Sequence, residues 1–367
     1  MNRGTERDTV FYSSQKAEMN AEVFFNEDMK HNRDLSYIAA KVFSNKINEE
    51  VRIADALAAS GIRGMRYKDL GKVWVNDANP SAVKAIEKAL EENKLEAEVS
   101  EQDTNVFLSK SKNFFHYIDI DPYGSFVNFL DSAARSTHHN GFAGFTATDN
   151  AAPAGSYSTV CQRRYGSKPL KNSFMHETGL RIYLKEVFES YARYDKCFDP
   201  KICWHEQHYT RVMGRVTESK KRTNRALENI GYLSFCPECR WRKLERKTKC
   251  ENCGNTDLKV AGPLWTGKFA DQRFTEEMLE EIPEEWEKSK ELLDKVHGEA
   301  EILTPFYDLH EICSHLGVSV PRQVKFIESL REKGYPISRT HFSPTGFRTD
   351  APIGDIMDMV QKVIEGN

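Results

Sequence analysis

The sequence predicts an α/β fold: a parallel sheet flanked by helices, followed by a smaller α+β unit built around a metal ribbon. Three observations predict it. Five short strand patterns alternate with helical stretches through the first half, the arrangement that yields parallel sheets with right-handed crossovers. Consecutive strands carry an aspartate at or just after their carboxyl ends, along the edge where open α/β sheets bind ligands. Two Cys-x-x-Cys pairs lie in the second half, ten residues apart, a spacing suited to a zinc ribbon.

Taken in order, helical periodicity fits Asp34 to Asn45 (DLSYIAAKVFSN). Val51 to Leu57 is a short buried strand ending in an acid, followed by the turn AASGIRG. The segment KVWVND closes at Asp77, and Pro80 opens an amphipathic helix reaching Asn93. AEVSEQD, FFHYIDID and GFAGFTATD are the next strands, ending at Asp103, Asp121 and Asp149. Met175 to Tyr194 reads as helix, and CWHEQHYTRVMGRVTE as one or two strands completing the sheet. The basic run from Lys220 to Gly231 marks a boundary. It divides the chain into residues 1–225 and a carboxyl-terminal part, 226–367, with the ribbon over 232–258. From Thr304 the pattern is helix, turn, helix, hairpin, a winged-helix-like tail over 302–350.

Composition bounds the possibilities. At 367 residues, with 39% hydrophobic and 29% charged, the chain can bury a core and holds two or three domains. No apolar run spans a bilayer, and the first thirty residues lack the apolar stretch of a secretion signal, so a reducing cytoplasm is expected and metal is favoured over disulfide. The formal net charge is −3, so a nucleic-acid surface must be local. Between Lys220 and Lys249 ten Lys or Arg face three Glu, a stretch suited to phosphates. From Asp271 to Glu301 twelve acids oppose four bases, which reads as a solvated helical face.

The first constellation surrounds the turn Asp55-Ala-Leu-Ala-Ala-Ser60-Gly61-Ile-Arg63-Gly64. Gly61 and Gly64 permit close backbone approach, yet the segment is neither a dinucleotide fingerprint nor a phosphate loop. Asp77, about twenty residues on, suits a ribose diol, and Asp103-Thr104 an adenine amino group. A nucleoside site without phosphate machinery points to S-adenosylmethionine. Asp121-Pro122-Tyr123-Gly124 is the sharper motif. An exocyclic purine amine is a weak nucleophile because its lone pair is delocalised into the ring. A carboxylate and a backbone carbonyl accepting its N–H bonds return electron density to nitrogen. Pro122 fixes the backbone, and Tyr123 offers a ring face to the base.

Cys236, Cys239, Cys250 and Cys253 supply four thiolates, a set that leaves no open coordination position and is therefore structural. The loop between the pairs, RWRKLERKTK, is basic and carries Trp241, a combination compatible with RNA contact. Cys161, Cys197, Cys203 and Cys313 read as packing residues, and His116, His138 and His205 show no ligand spacing.

Together VFFNEDMKHNRDLS, DALAASGIRGMRY, DIDPYGS, TATDNAAPAG and the two knuckles resemble the tRNA (guanine-26, N2)-dimethyltransferases over nearly the whole chain. The resemblance implies a class I, Rossmann-like methyltransferase domain and a carboxyl-terminal tRNA-binding domain. It implies S-adenosylmethionine as methyl donor and tRNA as partner, with no membrane and no protein partner implied, and one and then two methyl groups placed on N2 of guanine. By the same resemblance Arg33, of Asn32-Arg33-Asp34, and Arg63 help hold the cofactor with Asp55, Gly61, Asp77, Asp103 and Thr104. Asp121 meets the amine, and Tyr123 and Phe24 bracket the base. Two family prolines are replaced, by Glu27 after Asn26 and by Phe126 after Ser125. Two other readings fit parts of the pattern: an amino-methyltransferase acting on adenine in DNA, and a zinc-ribbon RNA-binding protein whose sheet is inert.

Overall fold

The computed structural model describes residues 26–365. Helix α1 (Lys30–Ser44) leads into β1 (Arg52–Asp55), α2 (Ile62–Arg66), β2 (Lys72–Asp77), α3 (Pro80–Glu92), β3 (Glu98–Glu101), α4 (Thr104–Ser109), β4 (Phe115–Ile120), α5 (Leu130–Ser136) and β5 (Thr137–Ala147). Helices α6 (Ser158–Tyr165) and α7 (Met175–Ala192) precede a hairpin of β6 (Lys196–Glu206) and β7 (Tyr209–Glu218). These strands form one seven-stranded sheet, ordered β3-β2-β1-β4-β5-β7-β6. The first five are parallel, and β7 lies antiparallel between β5 and β6. The expected sheet is therefore present.

Strand β4 is buried at every position, as a parallel strand covered on both faces must be. The order reverses between β1 and β4, which opens a crevice at their carboxyl ends. One glycine is dictated by the strands beside it. A Cβ on Gly144 in β5 would sit 2.4 Å from the Arg211 guanidinium, so glycine lets Arg211 of β7 reach across β5 to β4.

After α8 (Lys220–Ala226), strands β8 (Ile230–Phe235), β9 (Arg242–Lys243) and β10 (Lys259–Trp265) form a small antiparallel sheet. Helices α9 (Gln272–Glu281) and α10 (Glu287–Glu299) follow, then β11 (Tyr307–Asp308), α11 (Leu309–Leu316), α12 (Gln323–Glu332), β12 (Ile337–Arg339), β13 (Gly346–Thr349) and α13 (Ile353–Glu365). The helix, helix, hairpin order is the one read from the sequence; α13 adds to it. The acidic stretch departs from expectation. It is not simply a solvated face, because α9 and α10 pack on α1, where Lys41 pairs with Glu281, Lys46 with Glu277, and the Ser289 hydroxyl donates to Asp34 at 2.9 Å.

One apolar cluster runs from Met29 to Phe306, so packing is continuous across residues 225 and 226, and a second joins the cysteine knuckles to the carboxyl-terminal helices. A sealed ionic network ties the tail to α7. Arg348 of β13 is bidentate to Glu177 of α7 at 3.0 and 2.9 Å and reaches Glu299 at 2.9 Å, while Arg181 pairs with Glu177 at 2.9 Å. No helix among the described residues is long and apolar enough to cross a membrane.

Candidate active site

The carboxyl ends of β1, β2 and β4 border a cavity of about 530 Å³. Of the residues singled out from the sequence, Arg33, Asp55, Arg63, Asp77, Asp121, Pro122 and Tyr123 line it, together with Asn26, Thr148 and His208. Phe24 lies outside the described residues. Gly61, Asp103 and Thr104 are not in the lining. Gly61 adopts a left-handed φ of 74° at the start of α2, where a Cβ would meet Ile86 at 2.9 Å, so its requirement is conformational. Asp103 caps α4, its Oδ1 accepting from the amides of Asn105 and Val106 at 2.9 and 3.1 Å. The Thr104 hydroxyl is buried and donates to the Ala56 carbonyl at 3.0 Å.

Each lining acid is held differently. Asp77 Oδ2 accepts from the Ala59 amide at 2.8 Å and Oδ1 from the Asn79 amide at 2.9 Å, which fixes the turn after β1 to the end of β2. Asp55 Oδ2 accepts from the Gly64 amide at 2.8 Å. A Cβ on Gly64 would crowd that same oxygen at 3.1 Å. Asp121 forms an ion pair through Oδ2 with the guanidinium of Arg63, a side chain only 5% exposed. Arg63 is itself braced by Asn32 Oδ1, which accepts from both terminal nitrogens at 3.2 Å, and faces Asp119 at 3.7 Å. Arg63 thus positions the Asp121 carboxylate.

Behind Asp121 lies an acid that sequence reading missed. Asp119 is fully buried and bidentate to Arg211 at 2.9 and 2.7 Å, and it accepts from the hydroxyls of Tyr67 and Tyr117 at 2.7 and 2.6 Å. Burial alone would raise its pKa, but Arg211 and Arg63 outweigh burial and hold it down at about 2. Asp55 is the register partner of Asp119 across β1 and β4. Burial, reinforced by the charge of Asp119, pushes Asp55 up to about 7. The motif Asn32-Arg33-Asp34 divides three tasks: Asn32 braces Arg63, Arg33 lines the cavity, and Asp34 pairs with Arg66 at 2.6 Å. That spread of contacts is not visible in a tripeptide, although its three polar residues inside an apolar helix were a signal.

Tyr123 is 95% exposed at the cavity mouth. The following Gly124 has φ 92° and is clamped by Thr148, whose hydroxyl accepts from the Gly124 amide at 2.7 Å and whose own amide donates to the Gly124 carbonyl at 2.8 Å. After Ser125, Phe126 is fully buried against Phe145 and Tyr183, so ring packing anchors this loop.

In the ribbon, Cys236 and Cys253 sulfurs lie 3.6 Å apart and those of Cys239 and Cys250 3.5 Å apart, with all four within 4.8 Å of one another. A tetrahedral zinc site with Zn–S of about 2.3 Å has edges of roughly 3.8 Å, so the four thiols fit that ion. Amide groups back them: Cys253 N and Asn255 Nδ2 approach Cys250 and Cys236 sulfurs at 3.5 and 3.6 Å. The RNA contact expected of the intervening loop needs correction at two residues. Trp241 is buried in the knuckle core, and Arg242 is sandwiched by the Phe174 and Tyr307 rings at 4.2 and 4.3 Å. Lys243 and Lys247 are matched by Glu245 and Glu251. Helix α8, the other basic segment, follows the end of β7 and therefore sits at the sheet edge opposite the cavity.

The four remaining cysteines are buried as expected. The histidines hold one surprise, for Glu49, His116 and His138 offer donor atoms within 4.8 Å. Arg52 occupies that cluster, its amide donating to His116 Nδ1 at 3.1 Å and its guanidinium facing Nε2 at 2.9 Å.

The family model described as N2,N2-dimethylguanosine tRNA methyltransferase matches residues 4–361. The tRNA (guanine(26)-N(2))-dimethyltransferase of Methanothermobacter thermautotrophicus is 37% identical over 358 residues, 94% of both chains. The tRNA (guanine(26)-N(2)/guanine(27)-N(2))-dimethyltransferase of Aquifex aeolicus is 33% identical, covering 93% of this chain and 90% of its own. The solved complex of Trm1 from Pyrococcus horikoshii with S-adenosyl-L-methionine superposes with a TM-score of 0.83 at 28% identity, covering 94% of this chain and 96% of that one.

Proposed function

The chain belongs to the N2,N2-dimethylguanosine tRNA methyltransferase family, and from that premise we propose that it methylates the exocyclic N2 of guanine 26 in tRNA, once and then again, using S-adenosylmethionine. The observation that carries this reading is Asp121, a carboxylate at the end of β4, held by buried Arg63 at the mouth of a cavity that also contains Asp55 and Asp77. The relatives' names support neither a DNA adenine substrate nor an inert scaffold.

The residues divide the work. Asp77, already bonded to two backbone amides, keeps lone pairs on both oxygens for a ribose diol, and Asp55 and Arg33 serve the charged end of the cofactor. Asp103, Thr104 and Gly61 support that lobe through the backbone contacts described above. S-adenosylmethionine supplies an electrophilic methyl on a cationic sulfur. Guanine 26 leaves its stack at a cost of a few kcal/mol, and its ring lies against Tyr123. Asp121 accepts an N–H bond from N2, orients the lone pair, stabilises the positive charge that develops on nitrogen as it attacks the methyl, and accepts the proton that nitrogen then sheds. Arg63 keeps the carboxylate in that position through both rounds. In the second round the methylated amine turns its remaining N–H toward Asp121.

The carboxyl-terminal part, 226–367, with its ribbon and winged-helix-like tail, is the tRNA-binding portion in this reading, and zinc is structural there. Phosphate contacts make binding salt-dependent. The enzyme works in the cytoplasm. Asp121→Ala is expected to keep cofactor affinity while lowering N2 methylation by at least about a hundredfold, read by mass spectrometry of nucleosides from a treated tRNA transcript. Turnover close to the parent would refute the assignment.

A further inference from the structure

The tip of the β6–β7 hairpin bears a ring that no part of the sequence reading used. Glu206 and Tyr209 are register partners, so the turn is the two-residue pair Gln207-His208, with Gln207 at φ 46°. Such tight turns are stiff and aim their side chains reproducibly. His208 is exposed and lines the cavity beside Asp121, Pro122, Tyr123 and Thr148. Among the described lining residues only Tyr123 and His208 carry aromatic rings.

The backbone of both ring-bearing turns is fixed by one tripeptide. Thr148 clamps Gly124 behind Tyr123 through two hydrogen bonds of 2.7 and 2.8 Å. Two residues on, the Asn150 side-chain Nδ2 donates to the His208 carbonyl at 2.8 Å. Asn150 cannot swing away, because its Oδ1 accepts from Thr210 at 2.9 Å and from Tyr183 at 3.3 Å. Asp149, between them, accepts from Tyr165 and Tyr183 hydroxyls at 2.6 and 2.9 Å. The segment Thr148-Asp149-Asn150 therefore ties the turn that carries Tyr123 to the turn that carries His208, and both side chains line the cavity with Asp121.

We infer that His208 is a ring contact for the flipped guanine, and that Asn150 is the positioning residue that holds it there. Stacking on a ring face is tolerant of the ring's identity, so the test separates ring from proton chemistry. The inference rests on the guanine-26 reading above. That reading is checked first by wild-type product, N2-methylated guanosine at position 26; its absence would remove the premise and say nothing of His208. With product established, His208→Ala is expected to lower kcat/KM for tRNA by roughly tenfold to a hundredfold, with cofactor Kd and melting temperature unchanged. His208→Phe is expected to recover most of the loss, with a pH profile parallel to that of the parent. Asn150→Ala should resemble His208→Ala, and the double variant should be no worse than either alone. Parent-like kcat/KM in His208→Ala overturns the inference. So does a Phe variant as impaired as Ala, which would assign His208 a proton-transfer or hydrogen-bonding role instead.

Discussion

Two buried ionic clusters use the same residue types for different ends. The one joining α7 to the tail comprises Arg181, Glu177, Arg348, Glu299 and His341, and its side chains are wholly buried. Two guanidinium groups there meet two carboxylates, and their remaining donors find the carbonyls of Trp265, Gly267, Leu303 and Thr304. The cluster at the sheet edge comprises Arg211, Asp119, Arg63, Asp121 and Asp55. It has two guanidinium groups for three carboxylates, and one end, Asp121, reaches solvent with a side chain 19% exposed. A sealed, balanced cluster can only hold elements together. An open one with a surplus acid can act on a ligand.

The sharpest separation comes from breaking the sealed cluster. Arg348→Met leaves Glu177 and Glu299 buried without a partner they need, which costs about 3–5 kcal/mol. Denaturant unfolding should show that loss, while kcat, measured where the variant is still folded, should match the parent. Loss of catalysis beyond severalfold in folded protein would mean that the two clusters are coupled and that the sealed one does more than hold elements together.

The second change touches the open cluster. Arg63→Lys keeps a charge but cannot hold Asn32, Asp119 and Asp121 at once, because an ammonium lacks the planar fork. Methylation should fall by about tenfold to a hundredfold, with a stability loss of about 1–2 kcal/mol, and cofactor affinity should change less than the rate. A Kd shift as large as the rate change would instead make Arg63 chiefly a cofactor ligand, the role that family resemblance implies.

This division explains what could be read from the chain. The acids at the ends of the parallel strands were legible, because strand periodicity and turn chemistry are local. The partners of those acids were not. Arg211 and Asp119 are 92 residues apart and meet only because β5 lies between β4 and β7 with a glycine where they cross. Trp241 misled for the converse reason, since a basic sequence around a ring says nothing about the cysteine core that covers it. His208 was hidden by its length scale: two turn residues carry no periodicity, and it is the long-range pairing of β7 with β5, with the Asn150 bond, that places them at the cavity.

The surplus acid yields the smallest and most specific effect. Asp55 is fully buried, and burial with the neighbouring charge of Asp119 pushes it up to about 7, above the unfolded value of 3.8. A carboxylate raised in this way favours its neutral form in the fold, so its contribution to stability is full below pH 3.8 and is lost as pH rises through 7. A cationic cofactor prefers the ionised form. Affinity for S-adenosylmethionine should therefore rise with pH, approaching tenfold per unit below 7 and levelling above it. Calorimetry in two buffers of different ionisation enthalpy should register up to about one proton released per cofactor at pH 6. Asp55→Asn should flatten both signals. A parent affinity independent of pH between 6 and 8 would show that Asp55 is already ionised in the free protein, and cofactor binding would then displace no proton from the open cluster.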